Sequence, residues 1–390
     1  MVHVAQISFF NDSQDRLPEE LLSIWPSLVD IAECASRGGS RVSVVQASRH
    51  SYRSQRSGVD YYFLPFGRAT PASPISDDFL ELLRELTPDV AHVQGLGFPR
   101  DVLSLAGVAS AMPIVLQDHA DRVPRWWRRA QWRRAFAATA GIAFCSLAQA
   151  APFEAARLLS PKTRIYGIPE STSRFMPGDV AAARRELQVE GHPLLVWVGH
   201  LDANKDPLTV LEGISQAARA LPDLRLWCCF GNAPLLEQVQ RRIQTDPRLR
   251  ERARLLGRLP HSKVERLMQS ADVFVLGSHR EGSGYSLIEA LACGVTPVVT
   301  DIPSFRSLTG QGAVGQLWPV GDAAGLSRGI LAAVSGLKPE SRREIRGHFD
   351  RELSFEAVGI RLAGMYEDAI QHGRERHPLT RPDAARPLTS

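Results

Sequence analysis

Short apolar runs alternate along this chain with stretches in which apolar positions recur at helical spacing. The runs predict strands over 2–9, 41–47, 59–64, 89–93, 113–117 and 141–145. Helical stretches lie between them near 18–36, 76–86, 99–110, 125–139 and 147–159. Several strands show no polar face, as in Pro113-Ile114-Val115-Leu116. A strand that is apolar on both sides is covered on both sides, as in a parallel sheet. Alternating β and α elements therefore predict a doubly wound α/β layer structure.

The pattern weakens over 167–193, where Gly167, Pro169, Pro177, Gly178, Gly191 and Pro193 punctuate it. An interdomain linker is expected at 169–192, after an N-terminal domain of 1–168. A second α/β series follows in 193–350. Its strands are expected near 194–199, 224–230, 253–256, 272–276 and 296–300, and its helices near 206–220, 233–245, 261–269, 285–293 and 323–335. A last amphipathic helix, 351–373, follows without a strand and is expected to cross back to the first domain. The tail 374–390, with four Arg and three Pro, reads as disordered. Ligands bind at the carboxyl ends of parallel strands, so two such domains in series point to a site between them.

Composition narrows the class. The chain has 390 residues, 44% of them hydrophobic and 23% charged, which suits two globular cores. No apolar run approaches the roughly 18 residues of a membrane span. Met1 to Ile7 lack a basic region and a long apolar stretch, so they read as a first strand. The five cysteines have no metal-site spacing and are expected to be reduced, in a cytoplasmic protein or one peripheral at the inner membrane face. Net charge is only +4, which gives no reason to expect nucleic acid as a partner. Only four of the 46 basic residues are Lys, so each Lys in this Arg-rich chain draws attention.

One of them is Lys205. It follows the run Trp197-Val198-Gly199-His200-Leu201 and precedes a helix opening at Pro207, with Asp206 as the expected N-cap. A compact cation at a strand exit suits a phosphate oxygen. A second constellation occupies 276–300. A strand ends, Gly282 and Gly284 make a turn, and a helix opens near Tyr285. The N–H groups of Gly284, Tyr285 and Ser286 then form an anion site at a helix N-terminus. Glu281 precedes the turn and Glu289 lies about one helical turn further on. Ionised carboxylates accept hydrogen bonds from hydroxyls. A diphosphate on the amides with hydroxylated rings on either side would satisfy every group.

Taken together, these segments resemble the retaining glycosyltransferases of family 4 (glycosyl transferases group 1). Gly199, Leu201 and Lys205 match a Gly-x-Leu-x-x-x-Lys loop, and Glu281 with Glu289 match a Glu-x7-Glu signature. Ala271-Asp272-Val273-Phe274-Val275 and the run from Glu289 to Val299 also look like that family. The resemblance implies a GT-B fold, with two facing Rossmann-like domains and a nucleotide-diphosphate sugar as donor. It further implies that Glu281 binds hydroxyls of the donor sugar. Gly284, Tyr285 and Ser286 would hold the diphosphate, Glu289 the ribose, and Lys205 would neutralise charge. The base would lie near Gly257-Arg258-Leu259. In the first domain, His119 stands where the family often has a His facing the donor sugar. The acceptor is left open: a glycan, a lipid-linked molecule or a small molecule. Neither a metal nor another cofactor is implied, and no Asp-x-Asp occurs.

Two departures stand out. Position 200 is His where the family usually has Arg, so either a protonated His200, Arg258 or Arg280 supplies a second cation. Phe10-Asn11-Asp12-Ser13 lacks the Gly-Gly pair that many members carry. Gly310-Gln311-Gly312-Ala313-Val314-Gly315 spells a dinucleotide fingerprint, but a strand-like run follows it rather than a helix. Residues 122–134 hold six Arg and three Trp, with no acid between Asp121 and Glu154. That segment reads as a basic amphipathic helix. Either its Trp residues pack inward under a solvated face, or it meets an anionic membrane surface. A nucleotide-sugar epimerase and a non-catalytic nucleotide-sugar binder are the competing functional readings.

Overall fold

A computed structural model describes residues 1–65 and 75–376. The chain divides into two compact units, one of 1–168 with 359–390 and one of 169–358. Each is a Rossmann-like α/β domain with a mainly parallel sheet, and the fold is GT-B.

Unit 1 holds β1 (His3–Ser8), β2 (Arg41–Ala47), β3 (Tyr52–Arg56), β4 (Val59–Leu64), β5 (Val90–Gln94), β6 (Ile114–Gln117), β7 (Gly141–Phe144) and β8 (Arg164–Gly167). Their order is β3-β4-β2-β1-β5-β6-β7-β8. β1, β5, β6 and β7 are buried at every position, as expected for strands covered on both faces. β3 is the antiparallel exception. It joins β4 through Ser57 and Gly58, both at positive φ, as a two-residue hairpin requires. Its sequence, Tyr-Arg-Ser-Gln-Arg, belongs to a half-exposed edge and carries no apolar run to betray it.

The single helix expected over 18–36 is two, Pro18–Ile24 and Pro26–Arg37. Pro26 lacks the N–H that would continue the first and is suited to open the second. The helix expected over 125–139 is a three-residue 3₁₀ turn, Trp126–Arg128, followed by the helix Arg129–Ala137. The C-terminal helix runs Phe355–Arg376, starting and ending a few residues later than the expected 351–373. Residues 374–376, assigned to a disordered tail from sequence, are helical; 377–390 lie outside the described residues.

From Gly359 onward the helix belongs to unit 1. Tyr366 is fully buried there, its hydroxyl 2.9 Å from His92 Nδ1 on β5. Asp368 accepts from the Tyr166 hydroxyl at 2.5 Å and pairs with Arg164 on β8. Gly359 packs directly on Gly38, where a Cβ on Gly38 would stand 2.2 Å from the Gly359 carbonyl oxygen. Burial, with a smaller effect of His119, lowers the His92 pKa to about 3, so that imidazole is neutral.

Unit 2 holds β9 (Leu194–Val198), β10 (Arg225–Cys229), β11 (Ala253–Gly257), β12 (Val273–Leu276), β13 (Thr296–Thr300) and β14 (Gln316–Trp318). The order is β11-β10-β9-β12-β13-β14, and every pair is parallel. Chain order reverses between β9 and β12, which makes that position the topological switch point. The segment expected to be a linker, 169–192, folds into this unit. Its helix Val180–Leu187 lies on the helix His261–Ser270, where Arg184 donates to the Ser270 carbonyl at 3.0 Å and pairs with Asp272 at 2.8 Å. Glycine and proline punctuate this stretch without freeing it, because polar anchors hold it. Gly310 to Gly315 joins the helix Pro303–Leu308 to β14, a helix-to-strand passage opposite in sense to a dinucleotide loop.

Candidate active site

The β9/β12 switch point gathers most of the residues singled out from the sequence. After β9 the chain passes through Gly199 and His200 to Leu201, which is buried and anchors the loop. The Leu201 N–H donates to the Asn232 carbonyl at 2.9 Å, and the Asn232 N–H donates to His200 Nδ1 at 3.1 Å. The loop after β10 thus clamps the loop after β9. Because His200 Nδ1 accepts, the neutral ring carries its proton on Nε2.

Further along, the Lys205 N–H donates to Asp202 Oδ1 at 2.9 Å. Asp206, in the left-handed region at φ 49°, caps the next helix by accepting from the Thr209 N–H at 3.3 Å. This turn aims Lys205 across the switch point, where its ammonium pairs with Glu281 from the loop after β12. Both side chains are largely buried, at 14% and 13% exposure. The sequence assigned the two residues to different parts of one ligand; the structure joins them as an ion pair. The physical reason is that β9 and β12 are neighbours whose carboxyl ends release their loops side by side. Two more bonds tie these loops together. The His279 N–H donates to the Asn204 carbonyl at 2.7 Å, and Asn204 Nδ2 donates to the Arg280 carbonyl at 3.0 Å.

Beyond Glu281 the turn Gly282-Ser283-Gly284 leads into the helix Tyr285–Ala292. Gly284 sits at φ 75°, and a Cβ there would lie 2.5 Å from the Phe305 ring, so glycine is required twice over. The first N–H groups of the helix, those of Tyr285 and Ser286 among them, lack intrahelical acceptors by geometry. Glu289 lies on this helix at 14% exposure, and its Oε1 accepts from His261 Nε2 at 2.7 Å. His261 in turn packs on Phe175, ring centroids 4.6 Å apart.

Of the two candidate arginines, Arg258 shares a boundary with His200. A Cβ placed on Gly231 would stand 3.4 Å from Arg258 Nη2 and 3.6 Å from His200 Cε1, so the two border the same small volume. Arg280 lies on the other side of the switch point, exposed in the loop after β12. Glu170 was not foreseen. It exchanges two hydrogen bonds with Ser283: the Ser283 N–H donates to its Oε1 at 2.9 Å, and its own N–H donates to Ser283 Oγ at 2.9 Å. Both residues are buried, so Glu170 fixes the turn that carries the helix N-terminus. The only hint in the sequence was a carboxylate inside a stretch otherwise read as linker.

No nucleophilic thiol is present at this switch point. Burial pushes Cys228 up to about 12 and also raises Cys229, the latter with help from the Glu289 charge, so both stay protonated. Among the described residues no three His, Cys, Asp or Glu side chains gather as a metal site.

His119 belongs to unit 1 and follows β6. Its Nε2 stands 2.9 Å from Gln94 Oε1, and its N–H donates to Asp121 Oδ2 at 3.4 Å. His119 lines a cavity of about 520 Å³ at the carboxyl ends of β1 and β5, the switch point of this unit. Phe10, Trp25 and Phe98 supply its aromatic wall. Asp12 and Arg16 face each other in a two-pronged pair at 2.8 and 2.7 Å, which holds the Asp12 carboxyl well below the usual carboxylate range. Gln46 Oε1 and Gln94 Nε2 are buried there without a hydrogen-bond partner. The sequence pointed to the 10–13 loop only as a departure from a family pattern. Gln46 and Gln94 had no motif to mark them.

Residues 179–347 match the family model of the glycosyl transferases group 1. This segment belongs to that family. The group 1 segment contains Lys205, Glu281, Glu289 and the helix N-terminus at Tyr285, whereas His119 and the unit 1 cavity lie outside it. Among known proteins, the chain is 25% identical over 259 residues to a GDP-mannose:cellobiosyl-diphosphopolyprenol alpha-mannosyltransferase of Xanthomonas campestris. That match covers 63% of this chain and 65% of the relative. It is 34% identical over 219 residues to a D-inositol 3-phosphate glycosyltransferase of Geodermatophilus obscurus, covering 53% of this chain and 48% of the relative. The chain thus spans less than two thirds of the length of these relatives. The crystal structure of Anabaena Alr3699/HepE in complex with UDP and glucose superposes with a TM-score of 0.65 at 15% identity. It covers 94% of this chain and 100% of that one, and the likeness is one of fold.

Proposed function

We propose that this protein is a retaining glycosyltransferase of family 4. It moves a sugar from a nucleotide-diphosphate donor to an acceptor hydroxyl without a metal ion. The observation that carries this reading is the meeting of Lys205 and Glu281 at the β9/β12 switch point, beside the N-terminus of the helix Tyr285–Ala292. Charge develops on the diphosphate as the glycosidic bond breaks. Lys205 and the amides of Gly284, Tyr285 and Ser286 are fixed where that charge arises, so they stabilise the transition state more than the ground state. Glu281 holds Lys205 in place and accepts from hydroxyls of the donor sugar. Glu289, oriented by His261, accepts from the ribose hydroxyls. Arg258 supplies the second cation rather than His200, because His200 Nδ1 is already an acceptor for the Asn232 N–H. His119 positions the sugar. The acceptor hydroxyl attacks from the face of the leaving group, and a phosphate oxygen of the donor takes its proton.

The named relatives support a nucleotide-sugar donor, and their acceptors include a diphosphopolyprenol-linked sugar and an inositol phosphate. A thermal-shift screen of nucleotide sugars tests the reading, since a ligand that binds only the folded state raises its stability by mass action. One donor is expected to stand out and then to release free sugar slowly in water, with unchanged rate in a chelator. The first-formed anomer, followed by proton NMR, is expected to match the donor. Inversion of the anomer, or strict dependence on added metal, overturns the mechanism. Conversion of the donor sugar without release identifies an epimerase, and stable binding without release a binder.

A further inference from the structure

The basic segment after Asp121 carries an inference that the sugar-transfer reading does not contain. Tryptophan is seldom left in water by a folded domain. Here two consecutive ones are: Trp126 is 76% exposed and Trp127 57%. They sit on the 3₁₀ turn Trp126–Arg128, their rings edge to face with centroids 5.7 Å apart. The Arg125 guanidinium lies over the Trp127 ring at 5.3 Å. Trp132, a turn further along the helix Arg129–Ala137, is 7% exposed and packs on Phe136 at 5.6 Å. It anchors the segment and leaves the other two pointing away from the core.

Charge surrounds the exposed pair. Residues 122–153 hold six Arg and no Asp or Glu, so this stretch alone exceeds the +4 of the whole chain. Arg122, Arg125, Arg128, Arg133 and Arg134 are exposed. On the helix Pro99–Val108, which packs beside it, Arg100 and Asp101 offset each other. Cations ringing an amphipathic aromatic pair match the headgroup region of a bilayer with anionic lipid. There indole rings settle at the boundary of water and hydrocarbon, and Arg meets phosphate. Single-stranded nucleic acid fits less well. Successive bases stack on platforms that run roughly parallel, and these two rings stand at 89°.

We propose that Trp126 and Trp127, with the Arg residues around them, form a docking surface for an anionic lipid bilayer. The surface belongs to unit 1 alone and needs no donor or acceptor to act, so its test is separate from that of the transfer reaction. The full chain is mixed with vesicles of phosphatidylcholine, or of phosphatidylcholine with phosphatidylglycerol, and sedimented. Binding is expected only with the anionic vesicles, falling as salt is raised, with a blue shift of Trp emission. Trp126→Ala with Trp127→Ala is expected to abolish the shift and most of the binding. Arg128→Ala with Arg129→Ala is expected to weaken binding roughly tenfold or more. Thermal midpoints should stay close to the parent's, because the two Trp residues and Arg128 are exposed. Equal binding to both vesicle types, binding untouched by either double variant, or tighter binding to single-stranded DNA than to anionic vesicles each overturns the proposal.

Discussion

Both units place polar residues at a switch point, yet they do so differently. In unit 2 the loops after β9 and β12 bring opposite charges into contact, and one backbone bond and one from the Asn204 side-chain amide lock one loop to the other. In unit 1 the loops after β1 and β5 border an open cavity, with aromatic walls, Asp12 and Arg16 paired with each other, and two buried amide atoms, Gln46 Oε1 and Gln94 Nε2, left without partners. The first arrangement suits one kind of ligand group, an anion meeting fixed cations and amides. The second offers shape and scattered hydrogen-bonding atoms, which suits discrimination among neutral polar molecules. Rossmann-like topology decides where a site forms, and loop chemistry decides what enters it.

The contrast can be broken first at its charged end. Lys205→Ala is expected to lower kcat by about 10²–10³, the effect of removing one transition-state stabiliser, while the melting temperature holds. Near-normal turnover would reduce Lys205 to a partner of Glu281. The unit 1 counterpart is His119→Ala. It is expected to lower kcat by up to about 10², with donor KM little changed, if positioning is its role. A rise in donor KM alone would move His119 to ground-state binding.

Within unit 2, Arg258→Ala should weaken donor binding about tenfold, as expected for loss of one hydrogen bond to a charged group. His200→Ala should weaken it less. The reverse order in calorimetric titration would restore His200 as the second cation.

The gentlest probe concerns stability. His92 is neutral in the fold, its pKa lowered to about 3, whereas an unfolded His has about 6.5. Below pH 6.5 the unfolded chain therefore binds a proton that the native chain does not. Its contribution to stability, complete above pH 6.5, is lost as pH falls toward 3, by at most about 1.4 kcal/mol per pH unit. His92→Gln should flatten denaturant-derived stability between pH 4 and 6.5, relative to the parent. An unchanged slope would assign the acid sensitivity to other groups.

Legibility followed the same division. The apolar runs give β9, β12 and β13 almost to the residue, and the strand exit and glycine turn single out Lys205, Glu281 and Glu289 as candidates. β3 escaped because an exposed edge strand needs no apolar run. The helix Val180–Leu187 escaped because its surroundings were rich in glycine and proline. Glu170 escaped because its role rests on Ser283, more than a hundred positions away.

The sequence by itself determined the alternation of β and α, the parallel sheets and the chemical types at the group 1 motif, because these depend on periodicity and local spacing. Tertiary structure alone decided that Lys205 and Glu281 pair, that Arg258 stands beside His200, and that Trp126 and Trp127 face outward while Trp132 faces in. Those outcomes depend on which strands become neighbours and how each loop leaves its strand. No local pattern carries that information, because the groups that meet are far apart along the chain or differ only in which side of one turn they occupy.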